Sequence, residues 1–466
     1  MNRFLSPDLI DSFLERTIDA LPDNPSACTP CCESIAHGWR LLGLRPGDVV
    51  LLCLPSGKEL LNQFFGVLLA QGVPALVPPN MPAARLHELR QVFGARAIVS
   101  YRLPPMEFSV QTHEAFGGLR VAIFPPAQEP AAAPGEVVLL TSGTSGFASG
   151  CVFDFEALLL NGRRHADSIG QRQEDVVLVS LPLYFSFALV AQALASLVCG
   201  NRMIISGPPF NAARYQRTLQ ECGVTVSSLT PVLVRSLLQT GADFLSELRV
   251  FSVGGDYAEP ELVARLVDVR EGGELYVTYG LTQAGPRVST LAAHLEPADR
   301  YSSVGRPLEG TAVCLRPASD GSGLSQLYVT SDTVMKRPIG SVEGRPHHDP
   351  AGQRTTATGD AFEQDAEGYL YFKGRLCDYI SRRGEKISLV AVRRMASQLP
   401  NVASAKTMII RHNDGDEDFD LELLLNASPD AELDPREMLR GVLRRTEMPR
   451  SIRIEMADRA TSHAYK

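Results

Sequence analysis

Two short apolar runs, Val49-Val50-Leu51-Leu52-Cys53-Leu54 and Val73-Pro74-Ala75-Leu76-Val77, flank a stretch from Leu60 to Gln71 with the apolar spacing of a helix. That arrangement constrains the fold more than any other feature of the chain. A strand–helix–strand unit cannot close as a hairpin, so its strands lie parallel with the helix across one face. A strand covered on both faces is apolar at every position, as these are. Leu9 to Leu21 reads as a preceding helix. The rhythm resumes with strands at Val176 to Leu181 and Arg202 to Ile205 around a helix near Leu189 to Leu197. Further strands are predicted at Val224 to Leu229, Leu248 to Val253 and Glu274 to Thr278. After about Gly310 the texture changes to short strands and turns. The last stretch reads as a hairpin, a helix from Val390 to Gln398, and strands near Thr407 to Arg411 and Leu421 to Leu425. At 466 residues the chain exceeds one ordinary core.

Composition narrows the function. Hydrophobic residues are 44% and charged residues 21%, as in ordinary globular proteins. A net charge of -8 argues against a nucleic-acid surface. The longest apolar-rich segment, Leu189 to Cys199, is broken by Gln192 and Ser196 and is shorter than the roughly 20 residues that span a bilayer. The N-terminus lacks a basic start followed by an apolar segment. The expectation is a cytoplasmic protein with neither nucleic acid nor membrane as partner. Cys28, Cys31 and Cys32 form a C-x-x-C-C cluster without a second ligand pair, so free thiols are expected rather than zinc.

Beyond the Pro/Ala-rich linker from Pro125 to Pro134, the strand Val137 to Leu140 empties into Thr141-Ser142-Gly143-Thr144-Ser145-Gly146. Glycines let backbone amides approach one anion closely, and the hydroxyls add donors. No lysine stands where a Walker A loop requires one. A phosphate-rich ligand is the natural occupant.

The loop has companions in a fixed order: Gly43 to Val50 with its Gly47-Asp48 turn, Gly254-Gly255-Asp256, Tyr279-Gly280-Leu281-Thr282-Gln283, Ser303 to Pro307, Thr358-Gly359-Asp360 and Gly374-Arg375. Together these resemble the adenylate-forming superfamily, which holds acyl- and aryl-CoA synthetases, nonribosomal peptide synthetase adenylation domains and luciferases. The resemblance covers nearly the whole chain. It implies an α/β fold: a large N-terminal domain of layered mixed and parallel sheets with helices, residues 1–376, and a small mobile α+β C-terminal lid domain, residues 377–466. Cys377 falls at the hinge.

The implied reaction is ATP-dependent, Mg-assisted activation of a carboxylic acid to an acyl-adenylate. Transfer to the phosphopantetheine thiol of CoA or of a carrier protein follows. A carboxylate approaching a polyanion needs preorganised donors and positive charge. The resemblance gives Thr141, Ser142, Gly143, Thr144, Ser145 and Gly146 the phosphates. Gly254, Gly255, Asp256, Tyr279, Gly280 and Thr282 fall to the adenine side. Asp360 takes the ribose hydroxyls, and Arg375 lies near ribose and phosphates. Thr144, Gln283 and Lys466 are implied in catalysis, with Gln283 also a weak Mg ligand. Departures from the family pattern fall at Ser149, where a lysine is usual, at Gln283 for glutamate, at Cys377, and at Tyr465 before the terminal lysine. They keep a second reading open: a degenerate member that binds adenylate or a protein partner without full ligase activity. Phe185, Phe187 and Leu229 mark an acyl pocket expected to be uncharged. That favours an aryl or apolar acid over an amino acid.

Overall fold

Strands that are apolar throughout find cover on both faces. In the computed structural model Val49–Cys53 and Val73–Leu76 are buried at every position and run parallel. The structure describes residues 6–20, 31–103, 111–126, 129–141, 149–239, 241, 245, 247–270, 272–318, 323–340, 346–348, 352–376, 379–382, 385–397, 399–411, 417–425, 435–443 and 445–456.

One eight-stranded sheet has the order Arg337–Gly340, Ser149–Asp154, Glu136–Leu140, Val73–Leu76, Val49–Cys53, Ala97–Ser100, Leu119–Ile123, Gln111–Ala115. Its middle is parallel and its ends are antiparallel. A second eight-stranded sheet runs Thr17–Asp19, Arg202–Ile205, Val176–Val179, Val226–Leu229, Val250–Gly254, Glu274–Gly280, Arg287–Ala292, Arg306–Pro307. It is parallel until Glu274–Gly280 and antiparallel beyond. The helix Lys58–Leu69 is buried on all sides from Leu60 to Leu68, the signature of an interior helix. Phe64 meets Phe155 from the helix Phe155–Ser168. Trp39 Nε1 donates to Gln63 Oε1 at 3.0 Å, which satisfies both polar groups in this core.

Two elements differ from the sequence expectation. The predicted helix from Leu9 to Leu21 is a helix only over Pro7–Arg16, and Thr17–Asp19 joins the second sheet beside Arg202–Ile205. The sheet edge that captures these residues is remote in sequence, so local periodicity does not register it. The helix predicted near Leu189 is longer: Ser186–Ala188 and Ala195–Cys199 bracket a π-helical segment, Leu189–Leu194.

A third, five-stranded sheet contains Ala312–Pro317, Ser325–Ser331, Arg354–Gln364 and His347–His348, with Leu370–Arg375 paired to Arg354–Gln364. The C-terminal stretch builds a hairpin, Tyr379–Arg382 with Glu385–Ser388, and a sheet of Val402–Arg411, Glu417–Leu425 and Ile452–Met456. The helices Leu389–Ser397 and Pro435–Val442 accompany them. Among the described residues, the core of this stretch draws on Ile380 onward, while the large core reaches no further than Phe372.

Candidate active site

Three sequence motifs converge at the ends of neighbouring strands. Asp360 and Arg375 face each other in cross-strand register. The Arg375 guanidinium lies 3.6 Å from Asp360 Oδ1. From the second sheet, the Tyr279 hydroxyl donates to Asp360 Oδ2 at 2.7 Å. Asp360 is 6% exposed and Arg375 is largely exposed, so this is a recessed carboxylate with a cation at its rim. The turn before it is held by the Asp360 N–H donating to Thr358 Oγ1 at 3.0 Å. Burial and the adjacent Asp360 charge push the Tyr279 phenol well above its ordinary range, so it remains a donor.

An aromatic ladder fixes the cluster. Tyr279 packs edge-on to Phe362 at 4.8 Å and Phe362 to Phe372 at 5.5 Å, while Phe372 meets Tyr257 at a tilt, 6.0 Å between centroids. Tyr257 follows the Gly254-Gly255-Asp256 turn, so the ladder ties that turn to Asp360 and Arg375. Asp256 lies exposed at the surface, yet the protein packed beneath it pushes its carboxyl up, against the Tyr257 N–H and the Arg235 and Arg375 charges. Gly254 and Gly280 have no room for a side chain. A Cβ would stand 2.2 Å from Thr278 Oγ1 at the first and 2.1 Å from the Pro286 carbonyl at the second.

The Thr282 hydroxyl lies 3.1 Å from Ser186 Oγ, at the start of the π-containing helix. The half-buried Gln283 has its backbone carbonyl accepting from the Met335 N–H at 2.9 Å. Thr141 and Ser149 close the neck of the glycine-rich loop: their hydroxyls are 2.7 Å apart, and the Thr141 N–H donates to the Ser149 carbonyl at 3.2 Å. Ser149 is buried, so the residue in place of the family's lysine serves as a clasp. The loop residues Ser142, Gly143, Thr144, Ser145 and Gly146, with Cys377 and Lys466, lie outside the described residues.

The acyl-pocket candidates divide. Leu229 is fully buried at a strand end, while Phe185 and Phe187 are half-exposed. Beside Phe187 lies a charged residue that the sequence reading did not include. Arg287, 2% exposed, holds its guanidinium 3.8 Å above the Phe187 ring. Its Nε and Nη2 have no hydrogen-bond partner among the described residues. Burial lowers its pKa to about 9. A cation–π contact is worth up to about 2 kcal/mol. Burying an ion without a counter-charge costs several kcal/mol, so the ring does not offset it. Nearby His165 is fully buried, and neither ring nitrogen has a partner among the described residues. Burial, then the Arg287 charge, hold its pKa well below 6.5.

Sequence reasoning missed Arg287, His165 and Asn161, whose side chain brackets the Arg287 backbone at 2.9 Å on both N–H and carbonyl. A single charged residue at the head of the otherwise uncharged strand Arg287–Ala292 was the available signal.

Among the described residues no three His, Cys, Asp or Glu side chains group as a metal site, and no helix is long and apolar enough to cross a membrane.

Comparison with known proteins gives the family and the fold. The 4-coumarate-CoA ligase 1 of Narcissus pseudonarcissus is 24% identical over 439 residues, covering 87% of this chain and 79% of the relative. A Streptomyces salicylyl-CoA synthase / salicylate adenylyltransferase is 26% identical over 421 residues, covering 78% of this chain and 72% of the relative. The fold is similar to that of o-succinylbenzoate CoA synthetase from Bacillus subtilis in complex with its acyl-adenylate intermediate, at TM-score 0.75 and 19% identity, covering 97% of this chain and 94% of that one. The profile of the AMP-binding enzyme family matches residues 31–337, which contain Tyr279, the Gly254-Gly255-Asp256 turn and the clasped loop, and this chain belongs to that family.

Proposed function

We propose that this chain is an ATP-dependent, AMP-forming ligase that activates a carboxylic acid and passes the acyl group to a thiol of CoA or of a carrier protein. The observation that carries the reading is the meeting of Tyr279, Asp360 and Arg375 from separate motifs on one recessed carboxylate.

A carboxylate has two acceptor oxygens, and this suits Asp360 to the two ribose hydroxyls of a nucleotide. Arg375 at the rim supplies a fixed cation beside the ribose and phosphates. The Gly254–Gly255 turn is assigned to the adenine side, and Tyr279 offers the base an aromatic neighbour. In the first half-reaction an oxygen of the acid bonds to the α-phosphorus and the bond to pyrophosphate breaks. In the second a thiolate attacks the acyl carbon and AMP leaves. Lys466 is assigned to the developing charge between acid and α-phosphate, and Thr144 with the rest of the loop to the departing phosphates. Magnesium, when bound, neutralises phosphate charge. The Gln283 amide oxygen would be the group of this chain that helps to hold it. We assign residues 377–466 to a lid that turns about Cys377 between the half-reactions.

The test is carboxylate-dependent ATP–pyrophosphate exchange across a panel of aryl and alkyl acids. Exchange with at least one acid, and thioester formation on adding CoA or a loaded carrier, is expected. Tight nucleotide binding with no exchange by any acid would refute ligase activity and leave a binding protein.

A further inference from the structure

Among the described residues two arginines are buried almost completely, and only one has an internal reason to be there. Arg270 is 1% exposed and donates to the carbonyls of Leu245 at 2.6 Å, Leu248 at 3.1 Å and Glu274 at 3.0 Å. It is a latch between loops. Arg287 is as deeply buried, but its Nε and Nη2 meet no acceptor and it forms no ion pair among the described residues. Its neighbours His165 and Asn161 do not supply the missing acceptor. His165, near enough to feel its charge, contributes two further unpartnered nitrogens and no negative charge. The side chain of Asn161 is spent on the Arg287 backbone. A buried cation in such surroundings lacks an anion.

Its position says which anion. The guanidinium lies over Phe187 and comes within 3.2 Å of where a Cβ on Gly254 would stand, so it borders the acyl side of the Gly254–Gly255 turn. The same glycine position abuts Thr278. Thr278 and Tyr279 are successive residues of one strand and point to opposite faces. Arg287 therefore lies across the strand from the tyrosine that meets Asp360. It is placed for the far end of the acid, not for the carboxylate being activated beside the nucleotide. The π-helical segment Leu189–Leu194 begins two residues after Phe187, an irregularity often found where helices shape ligand sites.

We propose that Arg287 is the specificity-determining residue of the acyl pocket, and that the acid this chain takes carries a second anionic group, a carboxylate or its equivalent, which seats on that guanidinium. The proposal rests on the ligase reading. A planar guanidinium recognises a carboxylate through paired parallel hydrogen bonds, and Phe187 beneath it suits an aryl or unsaturated spacer between the two acidic groups. The amino-acid-like alternative, an α-ammonium at this site, is repelled.

The experiment compares matched acids that differ in one distal group, benzoate against 3-carboxybenzoate and butanoate against glutarate. Wild-type protein and Arg287→Met are measured by pyrophosphate exchange and by calorimetric titration of the acids. The wild type is expected to prefer the dianionic member of a pair by on the order of 10- to 100-fold in kcat/KM, and Arg287→Met to abolish or reverse that preference while still turning over the neutral acid. The wild-type preference needs no variant, so it decides the matter even if the methionine protein fails to fold. A wild-type preference for the neutral acids overturns the proposal. So does an equal loss of both members in Arg287→Met, which would make Arg287 a ligand of the reacting carboxylate. If no acid supports exchange, the ligase reading fails separately and titration still decides. Dianionic acid bound by wild type and not by Arg287→Met sustains the anion site, and equal binding or none removes it.

Discussion

A carboxylate that is 6% exposed and shared between a phenol and a guanidinium is organised before any ligand arrives. Asp360→Ala removes the acceptor of the Tyr279 hydroxyl and the assigned ribose ligand together. Nucleotide affinity is expected to fall by about 10- to 100-fold, the range for a hydrogen bond to a charged group, as read by calorimetric titration with ATP. Unchanged affinity would remove Asp360 from the nucleotide site. His165 makes a separate prediction at the same scale. Its folded pKa is depressed below 6.5, so the unfolded chain takes up a proton that the native state refuses. Stability is therefore complete above that value and declines as the pH falls through it, with a slope of up to about 1.4 kcal/mol per pH unit. Urea unfolding at pH 7.5 and 5.5 reads the decline, and His165→Phe should flatten it. Asp175 and Asp332 are held low by Arg249 and Arg164, so their contributions are lost only at more acid pH.

At the scale of elements, the site depends on backbones brought close together. Gly305 has φ +80°, and a Cβ there would stand 1.9 Å from the Thr290 carbonyl, where the strand Arg306–Pro307 joins Arg287–Ala292. Gly305→Ala combines left-handed backbone strain with a steric conflict. A loss on the order of 2–4 kcal/mol is expected, measured by denaturant unfolding. Because Arg287 lies on the same strand, the variant should also lose activity beyond its loss of stability. A stable, fully active Gly305→Ala would mean that the junction tolerates movement. The motifs were legible in the sequence because each is local: glycines where no Cβ fits, and an aspartate after a turn. The strand Thr17–Asp19 was not, because what makes it a strand is the open edge of Arg202–Ile205. The π segment was also missed, since Leu189 to Leu194 carries the same apolar spacing in either helical form.

Across the whole molecule, the core beginning at Ile380 and the core ending at Phe372 share no described residue, so the C-terminal stretch has packing of its own. The assignment of Lys466 to chemistry predicts that Lys466→Ala lowers adenylation by about 10²- to 10³-fold, the usual effect of removing one preorganised charge, with nucleotide affinity nearly unchanged. Single-turnover formation of acyl-adenylate, set beside ATP titration, separates the two effects. Equal losses in both would place the lysine in binding instead.

The sequence by itself determined the family, the alternation of strands and helices, and the motif residues Tyr279, Asp360 and Arg375. These are carried by short-range spacing and by residue types that chemistry requires at fixed points along the chain. Only the tertiary structure decided what surrounds Arg287. Phe187, Gly254 and the helix that carries Asn161 and His165 come from separate stretches of chain, and the absence of a counter-charge among the described residues around a buried guanidinium exists only after they have been brought together. In the sequence that arginine is one cation among 45 lysines and arginines. Its burial without an anion is a property of the packed fold, because the energy of a charge is set by the medium around it and not by its neighbours along the chain.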